Sequence, residues 1–266
     1  MIPRAHITEW RNLAPWSTNA QVEQDLVISR ALVEMFSSQL IAETLAFRGG
    51  TALHKLFLSP QPRYSEDIDL VQIKPGPIKP ILKEIGKQMQ FLGTEKKRKT
   101  KLNINNSTIY YRFQSEIAPV ISLRLKIEIN CREHFSVFGL QSFPYKVESE
   151  WFKGEANLTT YQPEELLGTK FRALYQRKKG RDLFDLWYAL VHLDPDVEKI
   201  TETFKTYMNF VTEKPPTQKQ FRMNLAEKRT DPEFLNDTTG LLRPDIQYNA
   251  DEAFHLIEEH LIAKIK

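Results

Sequence analysis

Apolar residues recur at mixed three- and four-residue spacing from Val22 through Leu26, Leu32, Val33, Phe36 and Ile41 to Leu45, which predicts one long amphipathic helix over residues 20–46. Gly49-Gly50 then supplies a turn into a short helix over residues 51–58, and Pro60 and Pro62 break the chain again. Asp67-Ile68-Asp69-Leu70 alternates polar and apolar positions, as a strand with one buried face does. A helix is expected over residues 77–91 and strands over residues 108–113 and 121–130. The last of these alternates cleanly, with Leu123, Leu125, Ile127 and Ile129 on one face and Arg124, Lys126, Glu128 and Asn130 on the other. That polar face either meets solvent or lines a cleft beside Asp67 and Asp69. Residues 137–160 read as loop with a short strand.

From Pro163 onward the period is helical. Proline at the first position with Glu164 and Glu165 in the first turn marks a helix start, Leu166, Leu167, Phe171, Leu174 and Tyr175 form its apolar side, and Gly180 ends it. Further helices are expected over residues 182–192, 197–211, 217–228 and 251–265. The order is mixed α/β and then all α. It places an α/β domain over residues 1–160 and a helical domain over residues 161–266, with a cleft expected between them.

Composition narrows the class without choosing a function. With 41% apolar and 27% charged residues, the 266-residue chain reads as globular rather than disordered. No run of about 18 apolar residues is present, so no membrane span is expected. The opening Met1-Ile2-Pro3-Arg4-Ala5-His6 lacks the apolar core of a secretory signal, and the single Cys131 suits a reducing compartment, so the expected location is cytoplasmic. Net charge is only +3, but positive charge is concentrated in Lys96-Lys97-Arg98-Lys99-Thr100-Lys101 and in Arg177-Lys178-Lys179-Gly180-Arg181. Such runs are either solvated loops or places to hold a phosphate backbone.

The chemistry concentrates around residues 47–70. On a strand, Asp67 and Asp69 share a face, and two carboxylates side by side repel each other. A hard divalent cation such as Mg²⁺, which takes oxygen ligands and substrate phosphates, would relieve that repulsion. Gly49 and Gly50 precede a helix whose free amides would favour a phosphate, and Thr51 adds a hydroxyl. Glu128 is the candidate third carboxylate; its plainer reading is a surface pair with Lys126 or Arg124. In the second half, Lys170, Ala173 and Arg177 run along one helix line, where the cations either grip a triphosphate or pair with Glu164, Asp182 or Asp185. His54 and His134 have no partner at metal-ligand spacing.

Gly49-Gly50-Thr51-Ala52-Leu53-His54-Lys55, followed by Arg63-Tyr64-Ser65-Glu66-Asp67-Ile68-Asp69-Leu70, resembles the AbiEii/AbiGii-type toxins of the DNA polymerase β-like nucleotidyltransferase superfamily. Sixteen residues separate Gly50 from Asp67, a longer spacer than most of the superfamily shows but one this branch tolerates. Glu164-Glu165-Leu166-Leu167-Gly168-Thr169-Lys170 and Arg181-Asp182-Leu183-Phe184-Asp185-Leu186-Trp187 resemble the family's later motifs, so the likeness runs over roughly residues 45–190.

The resemblance implies a polymerase β-like α/β (α+β) sheet with flanking helices, followed by a helical domain that completes the nucleotide cleft. It implies a Mg²⁺-dependent nucleotidyltransferase toxin of a bacterial toxin–antitoxin or phage-defence system, moving NMP from an NTP to an acceptor, with tRNA the family precedent. The matching catalytic residues are Asp67, Asp69, Lys170 and Asp185. Gly49, Gly50, Thr51, Ser65, Lys170 and Arg177 would hold the nucleotide, and Asp67, Asp69 and Glu128 the metal. Asp185 would orient Lys170 or activate the acceptor hydroxyl. A cognate antitoxin encoded nearby, acting without a tight complex, is implied as a partner. The alternative acceptors are a small molecule of aminoglycoside type or a protein side chain.

Overall fold

Thr18 sets the first long helix. Its hydroxyl accepts from the Gln21 amide while the Gln21 side chain returns to the Thr18 amide, a capping box that opens Asn19–Phe36 (α2) behind the short Arg4–Trp10 (α1). The computed structural model describes residues 2–93, 98–212 and 214–265. It divides into two units, Met1–Tyr161 and Gln162–Lys266.

The helix expected over residues 20–46 is two helices and a strand. The Ser37 hydroxyl donates to the Val33 carbonyl at the end of α2, Ser38 is extended, Gln39–Thr44 (α3) follows, and Leu45–Arg48 turns into strand β1. A four-residue buried run carries no period that separates strand from helix. Gly49–Ala52 (α4) runs on as a wider π-helical turn, Leu53–Phe57, and leads to Asp67–Gln72 (β2). Next come Ile78–Gln88 (α5), Arg98–Leu102 (β3), Asn106–Gln114 (β4) and Ser122–Asn130 (β5). Part of the Lys96–Lys101 run is therefore an edge strand rather than a loop, and lysines on an edge discourage pairing with another chain. Lys96 and Lys97 lie outside the described residues.

The 137–160 segment is a second correction. It forms a hairpin of two nine-residue strands, Leu140–Glu148 (β6) and Lys153–Tyr161 (β7). Its pattern is faint because β6 is an edge strand with mostly polar or half-exposed positions. The seven-stranded sheet has the order β3-β4-β5-β2-β1-β7-β6, with β2–β5 and β1–β7 parallel and the other neighbours antiparallel. α2 packs against β5, β6 and β7, burying Leu125, Ile127 and Ile129, so the opposite face of β5 carries the polar set.

In the second unit, Pro163–Gln176 (α6), Gly180–His192 (α7), Val197–Val211 (α8), Gln218–Arg229 (α9), Pro232–Asn236 (α10) and Ala250–His260 (α11) enclose the rings of Phe171, Phe204 and Phe221. Gly180 begins α7 instead of ending α6, which stops at Gln176, and a β-carbon on it would strike the Phe234 carbonyl. Buried Lys228 donates to the carbonyls of Leu174 and Tyr175 and so closes the end of α6.

Candidate active site

Strand register builds the acidic face. Arg48 of β1 stands opposite Asp69 of β2, Asp69 opposite Glu128 of β5, and Asp67 opposite Lys126. Directly opposed residues share a face, so Asp67, Asp69 and Glu128 point to the side of the sheet that α2 leaves open. Burial pushes the Asp67 and Asp69 carboxyls above the usual range. Each carries a like-charge neighbour that adds to the rise, Glu66 for Asp67 and Asp67 for Asp69, while Lys126 opposes it in both.

The glycine turn holds the pair in place. Gly49 has φ +82°, and a β-carbon on it would collide with the Asp69 carboxylate. The buried Thr51 hydroxyl donates to the Asp67 carbonyl and lies 2.8 Å from Ser65 Oγ. With its single proton committed to that carbonyl, Thr51 accepts from Ser65. Thr51 and Ser65 therefore anchor the entry to β2 in this structure.

Lys126, weighed from sequence only as a surface partner of Glu128, reaches Asp67 as well. Its ammonium lies 2.7 Å from Glu128 Oε2 and 3.4 Å from Asp67 Oδ2, and Asn106 donates to Glu128 Oε1 at 3.3 Å. Among the described residues no group of three or more His, Cys, Asp or Glu forms a ready metal cluster. The carboxylates still suit a hard cation chemically: all donors are oxygens, and burial with mutual repulsion makes the Asp pair costly to leave uncompensated.

Two further ion pairs frame the motif. Arg48 Nη1 binds Glu133 Oε2 at 2.6 Å. Lys55 is buried, 3.0 Å from both Asp25 Oδ2 and Ser29 Oγ, while Trp10 Nε1 donates to Asp25 Oδ1 at 2.9 Å. Lys55, in the glycine motif, is thus tied into the core. Nothing in a local spacing rule reveals such partners, which come from residues 30 and 85 positions away.

In the second unit, α6 and α7 bring Lys170 to Asp182 Oδ1 at 3.1 Å and to Asp185 Oδ2 at 2.9 Å, all three buried. Arg177 lies just beyond the end of α6, because the helix stops at Gln176, and its Nε and Nη2 fork onto Asp182 at 2.7 and 2.8 Å. Burial opposes ionisation of Asp182, yet Lys170 and Arg177 together hold its carboxyl below the usual range. The ion-pair alternative weighed from sequence is what these distances record.

A family model described as nucleotidyl transferase AbiEii toxin, type IV toxin–antitoxin system, matches residues 30–255. The chain belongs to this family. The match reaches well beyond the motifs on both sides, into α2 and α11. Among solved structures, the nucleotidyltransferase toxin MenT4 of Mycobacterium tuberculosis H37Rv superposes with a TM-score of 0.64 at 14% identity, covering 100% of this chain and 91% of MenT4. That likeness supports the nucleotidyltransferase-like fold. An antigenic nucleotidyltransferase-like protein from Paracoccidioides brasiliensis gives a TM-score of 0.40 at 15% identity over 73% of this chain and 92% of its own, too weak to argue from. A search of curated proteins found no match. Among the described residues no helix is long and apolar enough to cross a membrane.

Proposed function

We propose that this family member transfers a nucleoside monophosphate from a nucleoside triphosphate to an RNA acceptor, with Mg²⁺ and with tRNA as the acceptor class. The observation that carries the RNA reading is a row of cations on the open sheet face. Register sets Lys99 opposite Tyr110 and Tyr110 opposite Lys126; Lys101 lies in the row of Thr108 and Glu128, and Arg112 opposite Arg124. Lys101 and Arg124 both approach the Tyr110 ring, at 5.8 and 5.3 Å. Lys99, Lys101, Arg112 and Arg124 are exposed, and among the described residues none makes an ion pair. A basic strip with an aromatic ring, leading to the acidic face, suits a polyanionic strand and repels a cationic drug.

Asp67 and Asp69 would hold the metal, which when bound supplies charge neutralisation for the triphosphate. Gly49 and Gly50 would offer backbone amides to the phosphates, with Thr51 and Ser65 fixing the turn beside them. Lys170 and Arg177 would take negative charge on the triphosphate. Asp185, 2.9 Å from Lys170 and buried, suits the orienting role better than that of a base. The acceptor oxygen forms a bond to the α-phosphorus, the bond to the β-phosphate oxygen breaks, and pyrophosphate leaves. Alignment and charge neutralisation supply the rate. A cognate antitoxin that neutralises without tight binding completes the proposal, with the cytoplasm as the place of action.

The test is incubation with each labelled triphosphate and total tRNA, protein or an aminoglycoside. Label in tRNA, lost in Asp69→Ala and in EDTA, is the expected result. Label in the drug or in protein overturns the acceptor assignment.

A further inference from the structure

We propose that Lys126 is the built-in counter-ion of the acidic face: it withholds Glu128 from the metal and stands in place of a second divalent cation. This rests on the reading of Asp67 and Asp69 as metal ligands. Lys126 and Glu128 are two apart on β5, so the lysine reaches its own strand's carboxylate and, across the sheet, Asp67. The contact to Glu128 is the closer, 2.7 against 3.4 Å. The other Glu128 oxygen accepts from Asn106. Each Glu128 oxygen thus already carries one protein donor, and a metal would have to compete with the 2.7 Å ammonium contact for the oxygen that faces Lys126.

Charge leads to the same assignment. Asp67, Asp69 and Glu128 bring three negative charges when ionised, and Lys126 removes one, leaving two, which a single divalent ion matches. A second such ion would face a surplus of positive charge in a half-buried setting, where repulsion is weakly screened. Arg48 acts on Asp69 but brings its own counter-charge, Glu133 at 2.6 Å, so that pair adds no net charge to the face. A lysine fixed on a strand provides its charge without the coordination geometry and dehydration that a metal demands.

The test is Mn²⁺ binding by electron paramagnetic resonance on the full, nucleotide-free protein, with no turnover involved. Wild type should take a single Mn²⁺, lost in Asp69→Asn. Lys126→Met should bind Mn²⁺ more than about tenfold tighter, or take a second ion, because a competing charge is gone and Glu128 is released. Lys126→Met/Glu128→Gln should return to within about threefold of wild type, since Glu128 contributed no ligand. Lys126→Arg, which keeps the charge and guards against a misfolded methionine variant, should stay at the wild-type affinity. An unchanged or weakened affinity in Lys126→Met overturns the proposal, as does a large loss in the double variant. If wild type and Asp69→Asn bind Mn²⁺ alike, the metal assignment of the Asp pair falls first and this inference with it.

Discussion

Replacing Gly49 by alanine should separate backbone strain from damage to the acidic pair. At φ +82° a residue with a β-carbon occupies the left-handed region, at a cost of about 1–2 kcal/mol. Gly139 has φ +80° with nothing within 4 Å of its would-be β-carbon, so Gly139→Ala reports that strain alone. At Gly49 the new methyl also runs into the Asp69 carboxylate, which must move or carry its neighbours with it. Asp69 sits on the paired strand β2, opposite Arg48, and its backbone has little room to yield. Adding an overpacking term, Gly49→Ala should lose roughly 2–4 kcal/mol, clearly more than Gly139→Ala. Urea unfolding followed by circular dichroism measures both. Growth inhibition on expression should disappear in Gly49→Ala and persist in Gly139→Ala. Equal losses of stability, or a Gly49→Ala variant that still arrests growth, would refute the idea that this glycine exists to let Asp69 approach.

Three further outcomes are expected. Asp69→Ala should abolish growth inhibition and leave the metal-free fold at least as stable as wild type near neutral pH, checked by thermal unfolding in EDTA. Its carboxyl is raised in the folded state, so the native protein binds a proton the unfolded chain has released; that penalty grows as pH rises from 3.8 through the folded value, and the variant should flatten the slope. Glu23→Gln should show the same sign: burial pushes this carboxyl from 4.5 to about 7, Oε2 accepts from the Glu116 amide, and Oε1 has no partner among the described residues. Wild type should lose up to roughly 3 kcal/mol between those pH values while the glutamine variant does not; parallel pH profiles would sink this reading. Finally, Lys55→Met should cost about 3–5 kcal/mol by stranding Asp25 in the core, and Lys55→Met/Asp25→Leu should recover part of it, the orphaned Trp10 N–H keeping about 1–3 kcal/mol. A double variant as unstable as the single one would show that the stranded Asp25 charge is not what the single variant loses.

The acidic strand and the glycine turn were legible because their information is local. Alternation over residues 123–130 fixes the polar face of β5, and two carboxylates at i and i+2 must share a side. The family motifs added Lys170 and Asp185. What stayed hidden depends on pairing between distant segments. β1 is four residues long and fully apolar but for Arg48, so its period is mute; only the neighbours β2 and β7 make it a strand. The β6–β7 hairpin alternates weakly because an edge strand buries little. Lys126 was visible as a charge on the polar face, yet its place beside both Glu128 and Asp67 follows from the parallel register of β2 and β5, which no spacing within either strand encodes.

The two readings posed from sequence for Lys170, ion pair and phosphate ligand, do not exclude each other on the geometry of an ammonium group. Lysine carries three N–H donors. Asp182 and Asp185 receive two of them, at 3.1 and 2.9 Å, and Arg177 reinforces Asp182 from the other side with a forked contact. Two buried carboxylates fix the ammonium's direction, and they use two of its three donors among the contacts of the described residues. The pairing is therefore compatible with the proposed phosphate contact and does not argue against it. It also sets an order: Asp185 holds Lys170 directly at 2.9 Å, whereas half-exposed Arg177 reaches it only through Asp182, so loss of Asp185 should strike nucleotide affinity harder than loss of Arg177, as titration with a non-hydrolysable triphosphate would read directly.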